Sequence, residues 1–342
     1  MKKKILCCAA LLLATVLLLG FLQLLLTPKY MADKQEGALI GEYYRETTAH
    51  DVLFVGDCEV YECFTPPTLW EEYGVTSYIR GSAQQLPWQS YHLLEEMLKR
   101  ETPKAVVFNV YALKYGTPQN EAYNRMTLDG MQLSREKLSA IRASMTEGES
   151  LLSYLLPLLR FHSRWDELSA EDWQYLLHRD KVSHNGYLMQ TGILPKTSDR
   201  EGVPLADYTL PATAMFYLEQ MRLLCEENGV ALILIKAPTN NWRYYWYDEW
   251  DAQIADYADG HGLSYYNFIG LDGEIGLDWS TDTYDGGAHL NVYGAEKLTS
   301  YFGEILCREL GLAGHRDDAE ISAVWAEKLD AYKQEKEKGN TP

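Results

Sequence analysis

The sequence predicts an α/β fold built on a mainly parallel sheet, and three observations predict it. Short apolar runs of strand length recur along the chain, and most are ended by glycine, proline or a charged residue. Helical patterns, with apolar residues three and four positions apart, lie between several of these runs. Strands that alternate with helices are typical of parallel strands joined by crossover helices. The 342 residues are enough for one large domain or two small ones.

Five runs are predicted as the strands of this sheet. The first is 51–55, and its uninterrupted apolar pattern is typical of a strand that is buried on both faces. The other four are 75–79, 104–110, 230–236 and the weaker 263–268. Helices with one apolar face are predicted over 90–100, 214–228 and 291–312.

About 120 residues, 111–229, separate the third strand from the fourth, and this is far more than a crossover helix needs. They include helical patterns at 134–144 and 149–160. We expect an insertion over one end of the sheet. Because ligands bind at the carboxyl ends of the strands in such sheets, one interpretation is a lid or a substrate platform. The other interpretation is that the insertion only adds hydrophobic core.

An apolar run of 22 residues, 5–26, predicts an amino-terminal membrane anchor. As a helix it would be roughly 33 Å long, which is enough to cross the hydrocarbon core of a bilayer. Three lysines precede the run, which predicts a cytoplasmic amino end and an extracytoplasmic domain. A cleaved signal peptide is the alternative, although the run exceeds the usual ~7–15 apolar residues and no small-x-small cleavage site follows it.

These features divide the chain into four parts. Residues 1–29 form the cytoplasmic tip and transmembrane anchor, 30–50 a linker, and 51–315 the α/β domain. The tail, 316–342, is charged but repeats apolar residues at helical spacing. We expect the tail to be a peripheral helix that frays, or one that docks on a partner.

The composition excludes several classes of function. The formal net charge is −18, and an acidic domain is repelled by phosphodiester backbones, so no nucleic-acid binding is expected. Four cysteines outside the anchor are too few for a disulfide scaffold in a chain of this length. No CxxC, HxxxH or Cys/His cluster indicates a metal site, and we expect no cofactor.

Two segments hold the residues of a predicted active site. Gly-Asp-Cys-Glu at 56–59 directly follows the first strand, and a nucleophile at such a turn projects above the carboxyl edge of the sheet. Asp-Gly-Gly-Ala-His at 285–289 precedes the last predicted helix, and supplies a base with an acid to orient it. A helix amino end and a nearby histidine would lower the pKa of Cys58. The alternatives are that Cys58 is a small buried hydrophobic residue and that His289 only caps a helix.

This arrangement resembles the SGNH/GDSL hydrolase superfamily. In that superfamily the serine of a Gly-Asp-Ser motif follows the first strand, a glycine and an asparagine follow the second and third, and Asp-x-x-His precedes the last helix. The matching positions here are Cys58, Gly81, Asn109, Asp285 and His289. The anchored layout also resembles extracytoplasmic SGNH-like proteins of cell-envelope acylation, which include proteins of teichoic-acid D-alanylation and of alginate O-acetylation.

The resemblance covers roughly 48–312, and the chain departs from the superfamily pattern at two points. A cysteine stands where the serine is expected, and the acid and the histidine are separated by three residues instead of two. The longer spacing leaves Asp282 as an alternative to Asp285 for the orienting acid. Both departures also allow a degenerate site that binds and no longer reacts.

The resemblance implies a three-layer α/β/α sandwich with a flavodoxin-like parallel sheet. It also implies an acyl esterase or O-acyltransferase that acts on cell-envelope or exported polysaccharide. Cys58 would attack the acyl carbonyl, His289 would act as general base and then as general acid, and Asp285 would orient His289. The N–H groups of Cys58 and Gly81 and the side chain of Asn109 would hold the oxyanion.

The implied partners are the membrane, an envelope polysaccharide or acyl donor, and a membrane-embedded acyltransferase. The alternative function is a non-catalytic, membrane-anchored binding subunit of a polysaccharide assembly or modification complex. Residues 241–250 hold six aromatic side chains, which would suit sugar rings or form ordinary core. The candidate substrate-binding residues are Asp57, Glu59, Arg80, Lys236, Trp242, Tyr245 and Trp246.

Overall fold

The computed structural model describes residues 2–28, 36–177, 181–198, 202–240 and 246–339, and it confirms the α/β class. All five predicted strands are present. They are β1 (Val52–Gly56), β2 (Ser77–Gly81), β3 (Ala105–Asn109), β4 (Ala231–Lys236) and β5 (Ser264–Asn267). The strands form one sheet in the order β2-β1-β3-β4-β5, and every neighbouring pair is parallel.

Helices precede, connect and follow the strands. Those before β3 are α1 (Lys2–Leu26), α2 (Glu36–Glu42), α3 (Cys58–Cys63), α4 (Pro66–Tyr73) and α5 (Pro87–Leu98). The insertion between β3 and β4 holds α6 (Glu121–Leu128), α7 (Arg135–Ser144), α8 (Leu151–Leu155), α9 (Leu158–Phe161), α10 (Ala170–Leu177) and α11 (Ala212–Glu227). After β4 come α12 (Asp248–His261), α13 (Asp272–Ile275), α14 (Val292–Leu310) and α15 (Ala319–Gly339).

Both faces of the sheet are covered by helices, because alternate residues of each strand point to opposite faces. Val52 and Phe54 of β1 belong to a core that includes residues of α3, α4 and α14. Leu53 and Val55 belong to a second core, with residues of α5, α11 and α12. This double burial explains why the central strands are uninterrupted apolar runs in the sequence.

The carboxyl ends of all five strands lie at one edge of the sheet. The register places Gly56 of β1 beside Gly81 of β2, and Asn109 of β3 beside Ile235 of β4. In open parallel sheets of this kind, ligands bind outside this edge. The residues that follow β1–β4 are therefore brought together although they are distant in the sequence.

The insertion contributes both extra core and a border to this edge. Its helices α6–α8 form a small core with residues of α2 and α5, comprising Ile40, Leu93, Leu128, Met131, Ala140, Ile141 and Tyr154. The helix predicted over 149–160 is divided into α8 and α9, because Pro157 lacks the N–H that an uninterrupted helix requires. The segment 185–194 runs instead along the carboxyl edge of the sheet, where it forms backbone hydrogen bonds with β2, α3 and the start of α14.

Two predicted boundaries differ from the structure. Within the predicted linker, residues 38–50 belong to the fold, since Leu39, Ile40 and Tyr43 are fully buried. The tail is the helix α15, and it docks on its own domain. Trp325 of α15 stacks on Trp70, with the ring centroids 5.4 Å apart.

Among the described residues, α1 is the helix that is long and apolar enough to cross a membrane. A signal sequence near an amino terminus has the same property, so the uncleaved anchor stays a prediction, as does its orientation. The end of α1 contacts the insertion, where Phe21 lies 6.5 Å from the ring of Trp173.

Candidate active site

The turn after β1 is shaped by a glycine and by a helix cap. Gly56 has φ +153°, and a Cβ there would lie 2.4 Å from a methyl group of Val60. Asp57 caps α3, because its side chain accepts a hydrogen bond from the N–H of Glu59 at 3.2 Å. Cys58 is therefore the first residue of a helix that starts at the carboxyl edge of the sheet.

Gly81 lets the end of β2 approach this turn closely. A Cβ at position 81 would lie 3.0 Å from the carbonyl oxygen of Gly56 and 3.4 Å from that of Asp57. A larger residue would push the two strand ends apart. The backbone of Gly81 is thus placed beside the turn that precedes Cys58, and its role as an oxyanion donor stays a prediction.

Cys58, His289 and Asp285 form a continuous chain of contacts. The Sγ atom of Cys58 lies 3.1 Å from Nε2 of His289, and Nδ1 of His289 lies 2.6 Å from Oδ2 of Asp285. The other carboxylate oxygen of Asp285 accepts the backbone N–H groups of Ala288 and His289, at 3.1 and 2.9 Å. The carboxylate therefore holds both the ring and the loop that carries it. The structure brings these three residues together as the sequence predicts.

Asp282, the alternative acid, is committed elsewhere. It is fully buried, and its Oδ2 atom accepts hydrogen bonds from Lys297 at 2.6 Å and from the N–H of Asp278 at 2.8 Å. These bonds fix the loop before α14. Of the two candidate acids, Asp285 is the one that contacts His289.

A second carboxylate, which the sequence reasoning did not identify, also faces the histidine. Oε2 of the buried Glu62 lies 3.5 Å from Nδ1 of His289. The hydroxyl of Tyr284 donates a hydrogen bond of 2.7 Å to the same oxygen. The sequence spacing could have identified Glu62, because it is four residues after Cys58 and residues four positions apart share a helix face.

The electrostatics of the site oppose the predicted low thiol pKa. Burial raises the pKa of Cys58 to about 11, and the carboxylates of Asp57 and Glu62 add to the increase while His289 opposes it. Burial alone would lower the pKa of His289. Cys58, Glu62 and Asp285 outweigh burial and raise that pKa well above 6.5. The thiol is thus neutral at rest. The increase in the pKa of His289, whose first contributor is the charge of the Cys58 thiolate, favours transfer of the thiol proton to this histidine.

A buried polar cluster lies under the turn and differs from the predicted substrate contacts. Lys236 is fully buried, and its ammonium group contacts both carboxylate oxygens of Glu59 at 2.8 and 2.9 Å. Asp57 is also buried, and burial together with Glu59 raises its pKa to about 7. These three residues, predicted as possible substrate contacts, instead pair with protein groups below the surface.

Asn109 belongs to the same cluster, which differs from its predicted place in an oxyanion hole. Its amide nitrogen donates to Asp57 at 3.1 Å and to Glu59 at 3.0 Å. A side-chain amide has two N–H groups, so both are already used. Its oxygen accepts the N–H of Ala237 at 3.3 Å. Asn109 therefore ties the turn after β1 to the end of β4.

The remaining predicted substrate contacts are buried or lie outside the described residues. Arg80 is fully buried and donates to Glu96 at 2.9 Å, so it holds α5 against β2. Trp246 is fully buried in the core beside α12. Trp242 and Tyr245 lie outside the described residues. Arg80 is thus paired within the protein and Trp246 is packed in the core, so neither has the solvent exposure that substrate binding would need.

The segment 185–194 of the insertion frames the site by backbone hydrogen bonds. Its carbonyl and N–H groups bond to β2, to α3, to the loop at 283–286 and to the start of α14. Asn291, which caps α14 with its side-chain oxygen, also donates to the carbonyl of Gly192 at 2.9 Å. This segment therefore fixes the histidine loop relative to the nucleophile turn.

The described residues contain no group of three or more His, Cys, Asp or Glu side chains placed to hold a metal ion. Cys58 and Cys63 are both free thiols. The chain matches no protein-family model, and it matches none of the curated proteins with which it was compared.

Proposed function

We propose that this chain is an SGNH-like acyl esterase or O-acyltransferase of cell-envelope or exported polysaccharide, held at the membrane by α1. The observation that carries the proposal is the chain of contacts from Cys58 through His289 to Asp285. It joins residues that are 231 positions apart in the sequence. The strand order 2-1-3-4-5 is the order of flavodoxin-like sheets, which supports the proposed fold family.

The contacts assign a role to each of the three residues. As Sγ of Cys58 attacks the acyl carbonyl, Nε2 of His289 takes the thiol proton. The tetrahedral intermediate collapses to a thioester on Cys58, and the leaving alcohol takes the proton from His289. A second hydroxyl, from water or from a sugar, then transfers its proton to His289 and attacks the thioester. The C–S bond breaks, the acyl group leaves on the second hydroxyl oxygen, and the Cys58 thiolate recovers its proton from His289. Asp285 keeps Nε2 free to accept by holding the other ring nitrogen as a donor.

The oxyanion of the intermediate needs donors other than Asn109, whose amide is engaged below the turn. We assign this role to the backbone N–H of Cys58, at the start of α3, and to that of Gly81, at the end of β2. Backbone donors at a strand-to-helix turn are a common source of oxyanion stabilisation.

The test is capture of the thioester on the full-length protein in detergent. After incubation with an activated acetyl ester, we expect an acetyl group on the peptide that contains Cys58, and release of that group by hydroxylamine. Cys58→Ala should lose both the label and ester cleavage. Cys307→Ala is the matched control, because Cys307 is a half-buried free thiol on α14 and should leave both unchanged.

A second candidate is a non-catalytic binding subunit of a polysaccharide assembly or modification complex. The raised pKa of Cys58 and the engaged amide of Asn109 favour it, since both weaken a hydrolase site. Such a subunit would work beside a membrane-embedded acyltransferase. In that case no thioester would form, and Cys58→Ala would leave acylation of the polymer in cells unchanged.

A further inference from the structure

Large apolar side chains are exposed on the part of the insertion between 152 and 177. They lie on α8, on α9, on α10, on the 3₁₀ turn His162–Asp166 and between α8 and α9, and each exposes between 49 and 82% of its surface. They are Leu152, Leu156, Leu159, Trp165, Trp173 and Leu177. Soluble domains rarely expose large apolar patches unless the patch contacts a partner or a membrane.

These elements surround the carboxyl end of α1. α9, α10 and the 3₁₀ turn all contact α1, and α8 contacts α9. The guanidinium group of Arg164 donates to the carbonyl of Leu26 at 2.8 Å, and the ring of Phe21 lies 6.5 Å from that of Trp173. Leu25 and Leu26 are buried in this contact region, whereas the rest of α1 is largely exposed. The exposed residues are thus continuous with the helix that is apolar enough to cross a bilayer.

The position of Phe21 on α1 indicates how deep the exposed apolar residues would lie in a bilayer that α1 spans. It lies five residues before Leu26, the end of the apolar run, which is about 7.5 Å along a helix axis. Trp173 therefore lies near the boundary between the acyl chains and the headgroups when α1 spans the bilayer. Tryptophan is enriched at this depth, where its ring meets the chains and its N–H meets water.

We propose that the six exposed residues form a lipid-contact face, on which the insertion rests in the bilayer interface beside α1. Three of the nearby exposed charges, on Asp166, Glu167 and Glu171, are acidic, and the exposed basic group of Arg160 is paired with Glu121 at 3.0 Å. Attraction to anionic headgroups would need a basic surface. We therefore expect burial of the six apolar side chains, and not charge, to stabilise the contact with the bilayer. The expected occupant is the interface of a zwitterionic bilayer. This inference goes beyond the proposed function and depends on α1, not on Cys58.

The test uses quenching of tryptophan emission by brominated lipid. Full-length protein is reconstituted into phosphatidylcholine vesicles, with and without bromine near the upper part of the acyl chains. Two of the nine tryptophans lie on the lipid-contact face, so brominated lipid should remove roughly a fifth of the emission. The Trp165→Phe/Trp173→Phe variant keeps both apolar rings and should give equal emission in the two lipids.

Two sets of control variants test whether the quenching arises at the lipid-contact face. Trp279→Phe removes a half-buried tryptophan elsewhere and should keep the full quenching of the natural protein. Leu156→Asp/Leu159→Asp should reduce quenching at least twofold, whereas Phe216→Asp on α11 should not. The proposal would be overturned if brominated lipid did not quench the natural protein, or if the protein did not stay with the vesicles. Either result would indicate that the six residues contact a protein partner or remain exposed to solvent. Quenching that persists in the Trp165→Phe/Trp173→Phe variant would also overturn it.

Discussion

The two carboxylates at His289 predict how the site responds when one of them is changed. In Asp285→Asn, the amide oxygen can still accept the N–H groups of Ala288 and His289, so the loop should be retained. The amide nitrogen would then face Nδ1 of His289 and donate to it. That contact places the ring proton on Nε2, and this tautomer cannot take the proton of Cys58.

The loss of catalytic rate expected in Asp285→Asn depends on Glu62. The corresponding Asp→Asn change in a Ser-His-Asp triad lowers kcat by about 10⁴-fold, or roughly 5 kcal/mol of transition-state stabilisation. Here Glu62 lies 3.5 Å from the same ring nitrogen and can accept its proton after a small shift. We therefore expect a loss of only about 10- to 100-fold for Asp285→Asn, and about 10⁴-fold for Asp285→Asn/Glu62→Gln.

The primary readout is kcat/KM for an activated acetyl ester, measured on full-length protein in detergent. The rate of Cys58 alkylation by iodoacetamide at pH 8 is a second readout that needs no turnover. Asp282→Asn is the matched control, because Asp282 pairs with Lys297 and does not contact His289. Equal losses for Asp282→Asn and Asp285→Asn, once thermal unfolding shows both to be folded, would refute the assigned role of Asp285. A full 10⁴-fold loss in Asp285→Asn alone would refute the compensating role of Glu62.

The described geometry supports three further predictions, on thiol reactivity, on a buried ion pair and on acid stability. Because burial raises the pKa of Cys58 to about 11, its alkylation rate should rise about tenfold per pH unit from pH 7 to 10, and a plateau near pH 7 would contradict this. Lys236→Met should lower the free energy of unfolding by about 3–5 kcal/mol in a urea titration, since the buried carboxylate of Glu59 would keep its hydrogen bond from Asn109 but lose its cation. A loss below about 1 kcal/mol would contradict a stabilising role for this ion pair. Burial opposes ionisation of Glu46, but His50 and Lys328 lower its pKa to about 2, so its stabilising contribution is complete above about pH 4.5 and is lost as the pH falls towards 2. Since Lys328 is on α15, release of α15 should accompany this titration in tryptophan fluorescence, and Glu46→Gln should remove the pH dependence.

The strands could be predicted from the sequence because burial on both faces leaves a local mark. β3 and β4 lie within the predicted runs, whereas β2 extends two residues further than predicted, to Gly81. The extension includes Arg80, which would end a strand if it were exposed. Here its charge is neutralised by Glu96, on α5, and no local pattern reveals that pairing. The short helix α2 was missed because seven residues are too few for a clear apolar period.

The meeting of Cys58 with His289 could be predicted because topology alone brings the first turn and the last loop to one edge. The surroundings of the site depend on long-range pairing and could not be predicted. A lysine at the end of a strand suggests a solvent-facing charge, yet Lys236 pairs with Glu59, which is 177 positions away. The low thiol pKa was expected from the helix end and the histidine alone. The pKa of Cys58 is raised instead, because burial and the carboxylates of Asp57 and Glu62 together outweigh the lowering effect of His289.

The neutral thiol is consistent with the environment in which we propose that the domain works. Thiolates are oxidised and alkylated far faster than thiols, and extracytoplasmic compartments are oxidising. A pKa of about 11 keeps Cys58 almost entirely protonated near neutral pH, so the resting residue resists oxidation. The thiolate would then form only while His289 takes the proton during attack on a bound acyl group. In this respect the site would work as a serine triad does, by general-base assistance to a neutral nucleophile, with sulfur in place of oxygen.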